Sequence, residues 1–308
     1  MPEVASFLPS GQLLSFDEIT EVVRVMVGLG IRDVRITGGE PLMRPQLAQL
    51  MQALRSISEL GPLALTTNGM MLAEQLDGLV LAGLRRVNVS LDTLSEEVFR
   101  RLSRREGLDR VLTGIDAAAR DARVEVRLNA LVMREINWDE VLDLVAFARE
   151  RELVIRFIEF MPLDAERAWN RKQMVSGQEM RNRIEGRFGS LIPRARYDSS
   201  QPSTDYTFQD ACGGVGFIDS VSTPFCGSCD RLRLTADGKL RNCLFGGEEW
   251  DVRSLLRGQT NEVPASESDA REALEMTIRE CLAAKRAAHG IDSPDFRPPQ
   301  RAMFQIGG

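Results

Sequence analysis

The chain has 308 residues, of which 43% are hydrophobic and 27% charged, and its formal net charge is −6 at pH 7. This length suits one large α/β domain with an appendage, and an acidic chain offers no global basic field to a nucleic acid. The chain shows an odd number of cysteines, no secretory signal and no apolar run near the ~20 residues of a membrane span. We therefore expect a cytoplasmic protein that binds neither nucleic acid nor membrane.

Histidine chemistry is also nearly excluded. The single histidine, His289, lies in a predicted charged helical tail. A histidine-based catalytic triad or a histidine-rich metal site would need more of these side chains. The protein is therefore not expected to carry out hydrolysis through histidine.

Strand and helix patterns alternate regularly over the first 190 residues. Ser15 and Glu18 predict a capping box, and apolar residues at helical spacing follow it. Strands are predicted at 33–36, 63–66, 86–91, 124–132 and 154–160, with helices at about 45–57, 72–82, 95–121, 138–151 and 176–188. This alternation with short turns predicts five parallel strands joined by right-handed crossovers.

Glycines and polar residues stand at the carboxyl ends of four predicted strands. They form the segments TGGEP at 37–41, TTNG at 66–69, SLD at 90–92 and EFMP at 159–162. Since the site of a parallel barrel is built from those strand ends, we predict a mouth lined for a polar ligand. Turn formation alone would explain any single segment, and an open doubly wound sheet fits the same periodicity.

The regularity fails in the last third of the chain. Residues 191–211 are rich in Pro, Ser, Asp and Tyr, which predicts a linker or an irregular excursion, and 213–222 predicts a strand pair. A helix is predicted at 267–289, followed by an extended tail that ends in Gly307-Gly308. Such an end is usually frayed, but a strand without side chains also suits a narrow channel.

Three of the five cysteines lie in one stretch. Cys226 and Cys229 are separated by two residues, and Cys243 follows after thirteen more. Three thiolates suit a [4Fe–4S] cluster that keeps one iron free for a non-protein ligand. Arg231 and Arg233 would project from one face of a strand, and fixed planar cations beside an open iron favour an anionic substrate such as a phosphate.

Other interpretations of this stretch stay open on spacing alone. A redox disulfide is disfavoured because no thioredoxin-like strand and helix surround the Cys-x-x-Cys pair. A structural zinc site would need a fourth ligand, for which Cys212 or Cys281 is available. Spacing does not separate zinc from an iron–sulfur cluster.

Four motifs in order carry a resemblance to a known family. TGGEP at 37–41, RFIEFM at 156–161, the Cys-x2-Cys-x13-Cys stretch and the terminal IGG resemble the radical S-adenosylmethionine superfamily, and within it the GTP 3′,8-cyclase family that begins molybdenum cofactor biosynthesis. The likeness runs over 1–308. It implies an incomplete six-stranded TIM-type barrel at 1–190, a C-terminal iron–sulfur and GTP-binding domain at 191–308, and a cluster in place of zinc.

The resemblance also implies roles for individual residues. Gly39 and Glu40 would receive the methionyl amine of S-adenosylmethionine, with Ser90 and Met161 as further contacts. Gly307 and Gly308 would act in the active site as an inserted tail. The positions that would hold GTP are Arg35, Thr66, Arg127, Arg231, Leu232 and Arg233. Arg127 stands where the family commonly has lysine, so a planar fork replaces a point donor.

The resemblance further implies partners. These are GTP, S-adenosylmethionine and an electron donor, with cyclic pyranopterin monophosphate synthase as a pathway neighbour and a homodimer as one possible state. The open iron of the cluster held by Cys226, Cys229 and Cys243 would take the purine.

One departure from the family concerns the catalytic cluster. The family holds it with an N-terminal Cys-x3-Cys-x2-Cys motif, and no cysteine precedes Cys212 here. Residues 1–3 resemble those that follow that motif, so we expect the native chain to begin upstream, together with the first barrel strand and a second [4Fe–4S] cluster. The sequence as given is expected to be inactive. The alternative is a non-catalytic GTP-binding homologue that keeps only the C-terminal cluster.

Overall fold

The computed structural model describes residues 8–163, 169–195, 198–259 and 266–307. Its largest feature is an eight-stranded sheet with the order β1-β2-β3-β4-β5-β8-β7-β6. These strands are β1 Arg35–Ile36, β2 Leu63–Thr67, β3 Leu84–Ser90, β4 Glu125–Val132, β5 Val154–Glu159, β6 Ile192–Pro193, β7 Thr204–Thr207 and β8 Gly214–Ile218. A second sheet contains β9 Arg233–Leu234, β10 Lys239–Arg241 and β11 Trp250–Asp251.

Helices follow most of the parallel strands. They are α1 Phe16–Gly28, α2 Leu47–Arg55, α3 Leu72–Leu81, α4 Glu96–Ser103, α5 Leu108–Ala119, α6 Val141–Glu150, α7 Gly177–Phe188, α8 Val252–Leu256, α9 Glu267–Ala283 and α10 Met303–Ile306. The predicted capping box of Ser15 and Glu18 is present at the start of α1. No helix in the described part of the chain has the length and apolar character needed to cross a membrane.

Two helix predictions were wrong in their extent. The single helix predicted at 95–121 is divided into α4 and α5, because Arg104 and Gly107 adopt left-handed backbone angles, with φ of 58° and 115°. The helix predicted to reach His289 ends at Ala283. His289 instead lies in an irregular segment, where its Nε2 is 2.9 Å from the carbonyl oxygen of Ser220 and its ring stacks obliquely on Phe245.

The parallel arrangement predicted for the first five strands is confirmed. Each of β1 to β4 pairs in parallel with the next strand, as strand–helix alternation requires. The strand pair predicted at 213–222 was wrong, because only β8 forms there, and it pairs in parallel with β5 and antiparallel with β7. The segment 191–211, predicted to be irregular, supplies β6 and β7, so the sheet continues beyond residue 190.

Three apolar clusters lie within the described part of the chain, and the two largest, called here the larger and the smaller core, position the cysteine stretch. The larger core lies between the helices and the outer face of the main sheet, and it includes Leu65, Val87, Leu128 and Phe157. The smaller one packs α1 against α9 and the second sheet through Val22, Val25, Leu240, Leu274 and Ile278. Because α1 contributes residues to both cores, the part of the chain that bears the three cysteines is held beside the main sheet.

Candidate active site

The inner face of the main sheet is polar. On β3 and β4, buried apolar residues alternate with polar ones, and side chains two residues apart share a face. Strand register then joins these polar positions into rows across the sheet. One row contains Thr66, Asn88 and Arg127, and the next contains Ser90, Asn129 and Arg156.

Arginines dominate the charge of this face. The pKa of Arg35 is lowered to about 10, first by burial and then by repulsion from Arg156, Arg86, Arg231 and Arg127. Arg35 is nevertheless exposed to solvent. A side chain that has protein around it and is still reached by water lies in a concavity rather than in a packed core. Among the described residues, no salt bridge or hydrogen bond joins Arg35 to a carboxylate.

Two carboxylates offset part of this charge. Glu125 accepts hydrogen bonds from Arg86 Nε at 3.0 Å and from Arg127 Nε at 2.6 Å, and Asp205 accepts two from Arg156. With Arg231 and Arg233, six guanidinium groups stand against these two carboxylates. The excess positive charge suits a polyanion such as a triphosphate.

The glycine-rich loop after β1 is held by Glu40. The Glu40 carboxylate accepts hydrogen bonds from the backbone N–H of Leu42 at 3.0 Å, from the Thr67 hydroxyl at 2.7 Å and from the backbone N–H of Asn68 at 2.7 Å. Both of its oxygens are therefore used to join the ends of β1 and β2. Gly39 lies next to the C-terminal segment, since a Cβ on it would be 3.6 Å from the carbonyl oxygen of Phe304.

The C-terminal tail reaches this loop. A Cβ on Gly307 would lie 2.9 Å from Cγ2 of Thr37, and the φ of Gly307 is 76°, which favours glycine. The Gly307 carbonyl oxygen accepts a hydrogen bond from Arg233 Nε at 3.3 Å. The tail thus lies between the glycine-rich loop and the arginines near the cysteines. Gly308 lies outside the described residues.

Cys226, Cys229 and Cys243 are free, half-buried thiols. Burial chiefly raises the pKa of Cys226, and the charges of Cys243 and Cys229 raise it further. The three thiols therefore lie near one another. Burial would raise the pKa of Cys229, but the backbone N–H and the guanidinium of Arg231 outweigh it and lower this pKa. Such a donor set, with a thiol disposed to ionise, fits an iron–sulfur cluster.

The remaining cysteines do not join this set. Cys212 Sγ lies 3.3 Å from the carbonyl oxygen of Arg149, and Cys281 is fully buried in the smaller core, where burial raises its pKa to about 12. Across the described residues, no three Cys, His, Asp or Glu side chains converge on a position for a single metal ion. A mononuclear zinc site completed by Cys212 or Cys281 therefore has no support in the geometry of the described residues.

Comparison with known proteins agrees with these features. Residues 4–148 match the Radical SAM superfamily, and residues 153–291 match the family described as Molybdenum Cofactor Synthesis C. The chain is 45% identical to the GTP 3′,8-cyclase of Rhodopirellula baltica over all of this chain and 84% of that protein. It is 41% identical to the enzyme of the same name from Thermodesulfovibrio yellowstonii, over all of this chain and 92% of that one. The chain belongs to the GTP 3′,8-cyclase family.

A solved structure outside the GTP 3′,8-cyclase family shares the fold alone. SuiB of Streptococcus suis superposes with a TM-score of 0.52 and 13% sequence identity, over 87% of this chain and 60% of SuiB. The resemblance inferred from the four motifs is thereby confirmed at the level of family and of a mostly parallel α/β fold.

The side chains of two predicted site residues of this GTP 3′,8-cyclase family member pack against apolar clusters. The Met161 side chain packs with Leu163, Val221 and Phe245. The Leu232 side chain is half-buried and packs against the smaller core. Ser90, by contrast, is exposed on the inner face.

Glu159, in the RFIEFM motif, has a structural role in this family member. It is fully buried, and its carboxylate accepts hydrogen bonds from the backbone N–H groups of Val221 and Ser222, both at 2.8 Å. These residues lead directly into the turn at Cys226. Glu159 therefore links the end of β5 to the cysteine stretch.

The sequence-based prediction did not include four inner-face residues, namely Arg86, Asn88, Asn129 and Arg156. The alternation of polar and apolar residues on β3 and β4 was a signal for the first three. Asn88 Oδ1 is buried and has no hydrogen-bond partner within the described residues, which is unusual for a buried polar atom outside a binding site.

Proposed function

We propose that the protein cyclises GTP to 3′,8-cyclo-7,8-dihydro-GTP by radical S-adenosylmethionine chemistry, the first step of molybdenum cofactor biosynthesis. The observation that carries the proposal is the concave face of four arginines, with Arg231 and Arg233 beside it, that ends near three free thiols and a glycine tail. Relatives that share up to 45% of their residues with this chain are named for that activity.

The proposal includes a finer description of the fold. We infer an incomplete (β/α)6 TIM-type barrel at 1–190 and a C-terminal cluster and GTP-binding region at 191–308. The five parallel strand pairings support the barrel, and the two family matches, which meet near residue 150, support two functional regions. The division concerns function, since β8 extends the same sheet.

Cys226, Cys229 and Cys243 would hold a [4Fe–4S] cluster, and Gly39, Glu40, Ser90 and Met161 would surround S-adenosylmethionine. When bound, S-adenosylmethionine together with the second, upstream cluster would supply the one-electron chemistry of the superfamily, and the cluster on these three cysteines would supply an open iron for the purine. Because both Glu40 oxygens accept hydrogen bonds from the protein, Glu40 would shape the wall of this pocket rather than act as a mobile ligand.

The chain's own contribution is binding and orientation. Arg35, Arg127, Arg231 and Arg233 would donate charge-assisted hydrogen bonds to GTP, each with a net value of about 1.5–3 kcal/mol. Thr66 and the main chain of Leu232 would complete the contacts. Gly307 and Gly308 would close the site from the side of the glycine-rich loop, which excludes water and orients the ribose.

The test of the proposal is Arg233→Ala, measured on anaerobically prepared protein. We expect weaker GTP binding with unchanged iron content, since Arg233 is placed as a substrate contact and not as a ligand of the cluster. Arg286→Ala is the matched control, because Arg286 is an exposed arginine paired with Glu248. Loss of iron in Arg233→Ala, with normal iron in the control, would contradict the assigned role.

The wider setting is part of the same proposal. It takes an electron donor and a cyclic pyranopterin monophosphate synthase as functional neighbours in the cytoplasm, with a homodimer as one possible state. A second [4Fe–4S] cluster belongs to it where the native protein carries upstream cysteines. Intact mass and N-terminal sequencing of the protein from its source decide between that enzyme and the non-catalytic GTP-binding alternative.

A further inference from the structure

Arg156 is held by a carboxylate from a strand that is not its neighbour. Arg156 lies on β5 and Asp205 on β7, with β8 between them. Arg156 Nε donates to Asp205 Oδ1 at 3.2 Å, and Nη2 donates to Oδ2 at 2.6 Å. This two-pronged pairing fixes both the position and the plane of the guanidinium. The two side chains are only 6% and 16% exposed, so water competes little with the pair.

Gly216 leaves the space in which this pair forms. In the strand register, Gly216 of β8 lies directly beside Arg156 on one side and beside Asp205 on the other. A Cβ on Gly216 would be 2.3 Å from Asp205 Oδ1, 2.4 Å from Ser203 Oγ and 3.1 Å from Arg156 Cγ. Since real Cβ atoms do not approach a carboxylate oxygen so closely, any larger residue here would push the carboxylate from the guanidinium.

Asp205 is in turn held by two neighbours. The Ser203 hydroxyl donates to Oδ1, and Gln201 Nε2 donates to Oδ2 at 2.7 Å. Burial would raise the pKa of Asp205, but the hydrogen bonds and charge of Arg156, with those of Ser203 and Gln201, outweigh it and keep the pKa below its ordinary value. The carboxylate is therefore charged at neutral pH.

The other side of the Arg156 guanidinium faces the arginine-rich inner face. Arg156 is in register with Asn129, and its charge lowers the pKa of both Arg35 and Arg127. A guanidinium has five N–H groups, of which Asp205 takes two, so three remain for a ligand. Without its carboxylate, Arg156 would be repelled by these neighbouring cations.

We propose that Asp205 is a positioning residue for the substrate anion, which acts by holding Arg156 against this repulsion with its free N–H groups toward bound GTP. The inference rests on the proposed function, since it takes GTP as the ligand. Removal of a carboxylate from a phosphate-binding region strengthens anion binding through simple charge, whereas loss of a positioning residue weakens it. The direction in which GTP affinity changes when the carboxylate is removed therefore distinguishes positioning from simple charge.

The test is Asp205→Asn in the full chain, prepared anaerobically, with the Kd for GTP measured by equilibrium dialysis. We expect the Kd to rise about tenfold, as for one lost charge-assisted hydrogen bond. Gly216→Ala, which displaces the carboxylate without removing its charge, should have an effect in the same direction. An unchanged or tighter Kd in Asp205→Asn overturns the inference.

A matched control and a coupled variant separate positioning from direct contact. Asp210→Asn also removes a carboxylate between β7 and β8, but Asp210 pairs with Arg149 at 2.6 Å. The Kd of this variant for GTP should stay unchanged. Arg156→Met should weaken GTP binding by itself, and Asp205→Asn added to it should weaken binding no further. Further weakening there would overturn the inference, because Asp205 would then act without Arg156.

A folding defect and a failure of the proposed function can each be told apart from a failure of this inference. Should Asp205→Asn fail to fold, Gln201→Ala leaves the charge and removes one hydrogen bond to Asp205, and its Kd should rise about twofold to threefold; an unchanged value overturns the inference. If the unaltered chain does not bind GTP, the proposed function fails and the inference with it. If it binds GTP and Asp205→Asn binds equally well, only the inference fails.

Discussion

Arg233 Nε donates a hydrogen bond to the carbonyl oxygen of Gly307 across 3.3 Å. This contact joins a residue four positions after Cys229 to the penultimate residue of the chain. Burial, followed by repulsion from Arg231, lowers the pKa of Arg233 to about 10, while the charges of Cys229 and Cys243 oppose that change. The dipole of the tail carbonyl thus stabilises the buried guanidinium of Arg233.

Gly307→Ala should loosen the tail more than its backbone strain alone explains. The left-handed φ of 76° costs about 1 kcal/mol for a residue with a Cβ, and that Cβ would also lie 2.9 Å from Thr37 Cγ2. We expect amide hydrogen exchange at 303–307 to accelerate about tenfold and GTP binding to weaken. Mass-spectrometric exchange and equilibrium dialysis measure the two effects.

Gly290→Ala is the control for backbone strain in this experiment. Its φ is 73°, and no atom lies within 4 Å of the added Cβ. It should reproduce the strain without the contact. Equal acceleration of exchange at 303–307 in both variants would show that the contact with Thr37 does not hold the tail.

Arg35→Met should stabilise the ligand-free fold while weakening GTP binding. Arg35 is disfavoured as a cation by burial and by four neighbouring arginines. Since water screens part of that repulsion, we expect the free energy of unfolding to rise by about 1 kcal/mol. Urea denaturation measures it, with Arg24→Met as control because Arg24 pairs with Glu21 on an exposed helix face. A fall in stability beyond the control would mean that Arg35 supports the fold.

Asp219→Asn should change how stability depends on pH. Burial first, and then the charge of Glu159, raises the Asp219 pKa from 3.8 to about 6. The folded state therefore binds more protons than the unfolded state between these values, so the free energy of unfolding falls as pH rises through that window. The variant lacks this loss and should be about 2 kcal/mol more stable than the unaltered protein at pH 7.

The slope between pH 4 and 6 should fall only in part in this variant. Burial also raises the pKa of Asp92 to about 6, and that group remains. Urea denaturation at several pH values measures the slope. Asp292→Asn, at an exposed residue paired with Arg171, should leave both slope and stability unchanged. An Asp219→Asn variant less stable than this control at pH 7 would refute the assignment.

Replacement of any one of Cys226, Cys229 and Cys243 by serine should remove most of the iron and acid-labile sulfide bound by this part of the chain. A hydroxyl is a poor cluster ligand, and two thiolates are too few for a cube. Iron and sulfide analysis after anaerobic preparation tests this. Cys212→Ser is the control, since Cys212 lies against Arg149 instead. Equal iron in all the variants, or zinc without sulfide, would contradict a cluster at these cysteines and favour the structural zinc interpretation.

Much of the fold could be predicted from the sequence because the determinants are local. Apolar periodicity located β1 to β5 and the helices between them, and Ser15 with Glu18 marked the start of α1. The break was missed because arginine is a good helix former, so Arg104 gives no sign of its left-handed backbone, and the one local signal, Gly107, was not used. β7, with the sequence Thr-Asp-Tyr-Thr, has no apolar alternation to indicate a strand, since all four of its residues are half-buried between β8 and the short edge strand β6.

The sequence by itself determined the family and the residue types of the site: the glycine-rich loop, the three spaced cysteines, Arg231 with Arg233, and the glycine tail. Only the tertiary structure decided that Glu40 is occupied by three protein donors, that the Leu232 side chain belongs to a core, and that Asp205 reaches Arg156 across Gly216. The physical reason is that spacing along a chain reports which side chains share one strand or helix face. Register between strands is set by packing of the whole sheet, so contacts between Arg156 and a residue 49 positions away are not written in any local pattern.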